Sequence, residues 1–445
     1  MTGTWRQLRS LPGSVQLLVV NQFGINLGFY MLMPYLANHL SNGLGMAAWT
    51  VGLVLGVRTL SQQGLFLLGG TLADRLGYKP TIIAGCALRT VGFALLGLVD
   101  TLPALLVASA ATGLAGALFN PAVRAYVAAD AGPRRVEAFA VFNVFYQAGI
   151  LVGPLVGLAL ITVDFSVVCL TAAAIFAALT VLQTRSLPVR APDRDAERPT
   201  GVAGVLADWR SVVSNRAFLL FSLAMITSYV LSFQIYLALP LQAARVLGAR
   251  AGDTGSSVLF AASAVVAIVG QVRLTAWARE RWSAGRSVTT GVAMMAGAFL
   301  PLLLTAHLTQ ARPPQGFAEA ALALFPAVVS TVLLTLGTAL AYPFEMDTIV
   351  TLAGERLVAT HYGFYNTVSG IGITLGNLAT GWVWDIGLDT GWPALAWVVL
   401  AAIGAVGTGS LALLLRTGHL PARPTPVTES STDAVSRPTR RTSVR

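Results

Sequence analysis

The sequence predicts an all-α integral membrane protein, with twelve transmembrane helices in two six-helix bundles. Three observations lead there. The chain is 55% hydrophobic and 11% charged over 445 residues, whereas soluble domains carry about 25% charged residues. Its apolar residues gather into runs of roughly 20, the length that crosses a bilayer as a helix. One long polar stretch, 185–215, divides those runs into two sets of six.

The spans are read, in order, at 15–37, 48–72, 80–99, 102–128, 137–162, 165–184, 216–240, 255–273, 287–309, 318–342, 358–384 and 392–415. Arg6 and Arg9 precede a first run too long for a signal-peptide core and without a small-residue cleavage site, so cleavage is not expected. The run from Leu102 to Ala129 exceeds an untilted span, and its end should project from the bilayer. The central stretch carries Arg190, Asp193, Arg194, Asp195, Glu197, Arg198, Asp208 and Arg210. Within it, Val202–Val213 has the pattern of a short amphipathic helix on the membrane face, or of a plain tether. From Gly418 on, Pro, Thr, Ser and Arg predominate, as in a disordered tail. The expected division is 1–184 for the first bundle, 185–215 for the linker, 216–417 for the second bundle and 418–445 for the tail.

Charge sets the orientation. If both termini are cytoplasmic, the outward gaps hold only Arg245, Arg250 and Arg312. The inward gaps and adjoining helix ends hold Arg75, Lys79, Arg124, Arg134, Arg135, Arg273, Arg279, Arg281, Arg286 and Arg356. Basic residues accumulate on the cytoplasmic side, so this orientation is expected.

The net charge of +10 does not point to nucleic acid. The basic residues sit in short gaps, not in a stripe with interleaved aromatics. Cys86 and Cys169 lie alone inside apolar runs, and the four histidines are scattered, so no disulfide, metal site or cofactor is expected. Neither a nucleophile elbow nor a Walker loop occurs, and no enzyme is predicted.

The stretch from Gly70 through Asp74 and Arg75 to Gly77, Tyr78 and Lys79 packs charge into a very short turn between spans two and three. The cluster Arg279, Glu280, Arg281 and Arg286 occupies the equivalent turn of the second bundle, as a transporter of two repeats would place it. The first turn resembles the loop between helices two and three of the major facilitator superfamily. Gly70, Leu72, Ala73, Asp74, Arg75, Gly77 and Lys79 match that pattern, and Tyr78 departs from it. The resemblance implies a latch between the halves. Asp74 would face the N-terminus of span eleven near Tyr362–Gly363, where a helix dipole favours an anion. Arg75 and Lys79 would pair within their own half. The other reading is that these charges only set topology.

A second motif, Gly149, Gly153, Pro154 and Gly157, sets glycines four apart on one face of span five, which lets another helix approach. Pro154 bends that helix. The spacing resembles the motif of antiporter-type drug exporters, with Leu158 where a last glycine is usual; plain helix packing would also produce it. The stretch Gly28 to Pro34 resembles a further exporter pattern. Three patches, Gly56–Gly64 running into Gly69–Gly70, Gly113–Pro121 and Tyr362–Asn366, resemble the bacterial twelve-helix multidrug-resistance subgroup. These exporters usually carry an Arg four residues before the first glycine of the span-four patch; here that position is Ser109, so its proton role does not carry over.

Arg58 and Arg89 fall near the middle of spans two and three, where each must face protein or water. Gln62 shares the face of Arg58 one turn on. Arg58 either binds an anionic or carbonyl-bearing substrate or caps backbone carbonyls; the apolar sequence neighbours of Arg89 favour a structural role. No Asp or Glu is read at mid-span, and span one offers Asn21 and Asn26, which cannot titrate. The absence favours neutral, apolar or anionic substrates. Proton-coupling candidates are therefore Asp74, Glu345, Asp347 and His361, near helix ends. Cavity-lining candidates are Asn26, Tyr30, Arg58, Gln62, Tyr146, Gln147, Tyr229, Gln234, Tyr236 and Asn366, each of which could instead bond between helices. The resemblance implies a monomeric carrier in the lipid bilayer, working by alternating access, with a small-molecule substrate and protons as partners. It points to efflux of amphiphilic compounds, with a dedicated solute or lipid carrier as the alternative.

Overall fold

The computed structural model describes residues 2–46, 48–189, 201–308, 314 and 316–420. Arg190, Asp193, Arg194, Asp195, Glu197, Arg198, Arg312 and nearly all of the expected tail lie outside the described residues.

In lipid the backbone must satisfy its own hydrogen bonds, and an open sheet edge cannot. The described residues accordingly contain helices and short connections and no strand. In chain order they are α1 (Thr2–Ser10), α2 (Gly13–Asn38), α3 (Ala48–Gly64), α4 (Phe66–Leu76), α5 (Tyr78–Leu98), α6 (Leu102–Ala131), α7 (Arg135–Ile161) and α8 (Phe165–Ser186). Then come α9 (Gly201–Ser214), α10 (Arg216–Ser232), α11 (Ala238–Leu247), α12 (Ala249–Arg281), α13 (Ala284–Gly297), α14 (Leu300–Thr305), α15 (Phe317–Leu352), α16 (Val358–Asp389) and α17 (Leu395–Arg416). All twelve expected spans fall on helix. Nine described stretches are long and apolar enough to cross a membrane. One of them, Leu102–Ile161, contains two expected spans, while 48–72 and 358–384 lie outside the nine.

The exterior is that of a lipid-facing protein. Leu60 (73% exposed), Leu378 (67%) and Trp382 (68%) stand open on helices otherwise well packed, as water would not favour. One apolar core runs through α2–α8 and on into Phe218, Phe221, Tyr362 and Tyr365 of the second half. A smaller core around Leu239, Phe299 and Trp397 belongs to the second half alone.

Two local features position the site. Gly77, with φ 99°, ends α4 and starts α5 in a single residue, a conformation that suits glycine. The second is in α15. The expected span ends at 342, with Glu345 and Asp347 near the helix end. The helix instead continues to Leu352. Proline removes the N–H that would bond the carbonyl four residues back, and that carbonyl, Ala339 O, accepts from Gln271 Nε2 of α12 at 2.6 Å. The helix can therefore run through its proline, carrying Glu345 and Asp347 inside it.

Candidate functional site

One face of the bundle carries α1, α9 and the α4–α5 turn, and there the halves meet. Helix α16 begins after Leu357, whose side chain caps nothing, so its first N–H groups need outside acceptors. Asp74 supplies them from α4. It accepts from the backbone N–H of Ala359 (3.2 Å) and of Thr360 (2.7 Å), and from the Thr360 hydroxyl (2.7 Å). Asp74 thus acts as an N-cap lent by another helix, its charge set against the positive end of the dipole. Each such charge-assisted bond contributes about 1.5–3 kcal/mol. The partner lies one turn nearer the helix start than Tyr362–Gly363. Gly363 packs against the carbonyl of Phe66 instead, and a side chain at Gly70 would strike the carbonyl of Ala359.

Arg75 departs from the expectation of a partner in its own half. Its Nε (2.9 Å) and Nη2 (2.7 Å) both donate to Asp208 on the linker helix α9, where Trp209 also donates to Thr71 Oγ1 (2.9 Å). Lys79 makes no ion pair among the described residues. Helix α7 adds a second set of ties. Arg135 pairs with Asp347 and Glu355 at 2.8 Å each, Glu137 pairs with Arg279 of α12, and Asn143 donates to Gln271 Oε1 at 2.6 Å. Asp347 is thus held in an ion pair that crosses the halves. His361 takes no part in that pair: its Nδ1 meets the Leu357 carbonyl (2.8 Å) and its ring packs on Phe218.

Glu345 corrects the reading that no acid lies deep in a span. It is 3% exposed, seven residues inside the end of α15. One carboxylate oxygen accepts from Tyr229 (2.9 Å) and from Tyr365 (2.6 Å). Arg124 of α6 lies near the Tyr342 phenol, one turn before Glu345, and its charge acts on Glu345 through space. An acid so placed can exist charged, with two phenol donors, or protonated, with its own hydrogen to give. Tyr229 therefore serves the acid and not an open wall. Tyr342 escaped the sequence reading, which counted Arg124 only as an inward charge. The signal was the spacing of Tyr342 and Glu345, which puts both on one helix face.

The first half holds a contrasting cluster. Arg58 Nη1 donates to Gln62 Oε1 (3.2 Å), and its guanidinium lies 5.1 Å from the Phe29 ring. Arg89 is 5% exposed and makes no hydrogen bond to the described residues. Three rings surround it, Phe29 and Phe119 at 5.8 Å and Phe176 at 5.7 Å. An unpaired Arg at the bilayer centre costs about 3 kcal/mol on insertion scales, and each ring contact returns about 0.5–2 kcal/mol. The Tyr30 phenol beside this cluster lies near those of Tyr146 and, across the halves, Tyr236.

Gly149, Gly153 and Gly157 fix that neighbourhood. Side chains there would meet Asn26, Tyr30 and the backbone of α2, so the glycine face of α7 is filled by α2, which seats Tyr30. Tyr35 donates to the Pro154 carbonyl at 2.7 Å. The structure brings Tyr30, Arg58, Gln62, Tyr146 and Tyr236 together. It leaves Asn26 and Asn366 donating to carbonyls of their own helices, Gln22 and Tyr362, and Gln234 donating to the Val230 carbonyl and to Asn377 Oδ1 of α16. Gln147 is half-buried and joins neither group.

The family model described as Major Facilitator Superfamily matches residues 18–377. An uncharacterized MFS-type transporter of Mycobacterium tuberculosis is 51% identical over 396 residues, 89% of this chain and 92% of that one. The multidrug resistance protein MdtH of Yersinia pestis is 31% identical over 412 residues, 91% of this chain and 94% of its own. Among solved structures, the Escherichia coli fucose:proton symporter FucP superposes with a TM-score of 0.71 at 14% identity, over 90% of this chain and 98% of that one. The human organic anion transporter MFSD10 gives 0.60 at 16%, over 90% and 100%. At such identities these two likenesses speak to fold alone.

Proposed function

This chain belongs to the Major Facilitator Superfamily, and from that premise we propose that it exports small amphiphilic compounds from a bacterial cytoplasm in exchange for protons. The observation that carries the reading is Glu345, a buried acid bonded by Tyr229 and Tyr365. It lies two residues from the Asp347–Arg135 pair that ties the halves.

The closed face, with Asp74 capping α16 and Arg135 bridging to α15, is what an outward-facing carrier needs on its inner side. Protonating Glu345 from outside removes its charge from among Tyr229, Tyr365 and Arg124. Arg124 belongs to the opposite half, so the charge change alters an attraction between halves. Opening inward would uncap α16 and break the α7 ion pairs; reclosing would restore them. Export needs the proton to leave Glu345 on the inner side and the substrate to leave outward. The multidrug relative supports an amphiphilic substrate, and the arginine asymmetry supports cytoplasmic termini. We read the carrier as a monomer.

A second reading is a facilitator without proton exchange. It is favoured by the two phenols that already satisfy a carboxylate, as a purely structural acid would require. Liposomes loaded with a pH-sensitive dye separate the two. The first reading expects proton flux that depends on added lipophilic compounds, and loss of that flux, but not of downhill substrate movement, in Glu345→Gln. Substrate movement without proton flux in the unaltered protein would establish the facilitator.

A further inference from the structure

We infer that the Arg58–Arg89 cluster is a binding site for the anionic group of an amphiphilic carboxylate; this names the substrate class of the export reading and rests on it. The juxtaposition is unusual for apolar surroundings. Two guanidinium groups approach one ring, Phe29, at 5.1 and 5.8 Å. Neither forms an ion pair with an acid among the described residues. The Nε of each is buried without a hydrogen-bond partner.

A structural arginine in a membrane helix caps carbonyls or pairs with an acid. Arg89 does neither, and Arg58 bonds only Gln62. Like charges brought together in a low dielectric repel, so the pair is tolerable chiefly when an anion joins it. A carboxylate matches the planar guanidinium fork. The site also has grip beside the charges. Gly116 lets the Gln62 amide and the Arg89 guanidinium pack close together against α6, since a side chain there would come within 3.0 Å of Gln62 Nε2 and 3.3 Å of Arg89 Nη2. Phe29, Phe119 and Phe176 form an apolar wall for the body of the molecule. A dicarboxylate or inorganic anion would find nothing to use that wall.

The test is equilibrium binding to the purified full-length protein in detergent, read by pyrene fluorescence. The probes are pyrenebutyrate and its uncharged counterpart pyrenebutanol. The acid should bind more tightly than the alcohol. Arg58→Gln should weaken the acid about ten- to a hundred-fold, the cost of one charge-assisted contact, and leave the alcohol nearly unchanged. Arg58→Lys, which keeps the charge without the fork, should recover part of the loss. Arg89→Gln should behave as Arg58→Gln; if it fails to fold, the Arg58 pair still decides. Equal binding of acid and alcohol, or equal loss of both in Arg58→Gln, would overturn the proposal. Binding needs no gradient, so a protein that binds the acid but moves nothing across liposomes refutes export and leaves this site standing. Export of uncharged compounds with no acid binding does the reverse.

Discussion

The two buried charge clusters differ in what completes them. Glu345 in the second half is enclosed by Tyr229 and Tyr365, and Arg124 reaches toward it from the first half. Arg58 and Arg89 in the first half have one glutamine and aromatic rings, and no acid. A static protein would have paired these opposite charges with each other. Keeping them apart leaves the acid answering to the position of the halves and the cations answering to whatever enters. The difference separates a group that senses conformation from a group that recognises a ligand.

The comparison can be broken most sharply at Glu345. Replacing it with Leu leaves two phenols without an acceptor, each costing about 1–3 kcal/mol. Glu345→Leu should therefore lower the unfolding temperature in detergent clearly. A stability equal to that of the unaltered protein would mean the acid is not integrated as described. Arg89→Leu should do the opposite. It removes a buried charge with no hydrogen bonds, whose placement at mid-bilayer costs about 3 kcal/mol, so the unfolding temperature should hold or rise. A marked fall in unfolding temperature would give Arg89 a structural role and weaken the contrast. The smallest effect concerns the latch. Asp74→Asn weakens the cap on α16 and should let the halves part more often. Arg58, Gln62 and Arg89 all lie in the first half, so pyrenebutyrate affinity in Asp74→Asn should stay within about two-fold. Liposome transport by the same variant should fall while expression stays normal. A large loss of acid affinity would show that the cation cluster depends on the closed face.

Much of the fold was legible because bilayer thickness imposes a run length that any reader can count. The Asp74 turn was legible for a related reason: charge is placed at a membrane face only at a cost, so its presence asks for a partner. Its exact contact was not, since the expected partners, Tyr362–Gly363, lie one turn beyond the N–H groups that are free. Arg75 was misassigned because Asp208 lies on a linker helix whose docking no local pattern announces. Glu345 is read as an acid near a helix end because the apolar run is counted only to 342; the helix runs on through Pro343, whose freed carbonyl partner is on another helix. Arg89 was read as structural from its apolar sequence neighbours. Its surroundings come instead from Phe29, Phe119 and Phe176, on three other helices, which is information about packing and not about sequence order. Asn26, Gln234 and Asn366 looked like cavity polar groups, but a short amide on a helix can always find a carbonyl one turn back.

The bridge at Gln271 has a consequence for ancestry. Its amide oxygen accepts from Asn143 while its amide nitrogen donates to Ala339, the carbonyl that Pro343 leaves unbonded. An amide of that length offers both roles at once; Glu lacks the donor when ionised, and Lys and Met lack the pair. Residue 271 and residue 343 should therefore be inherited together. Lineages that lose the proline are released from the glutamine, and lineages that keep the proline should keep the glutamine even where the rest of α12 has drifted.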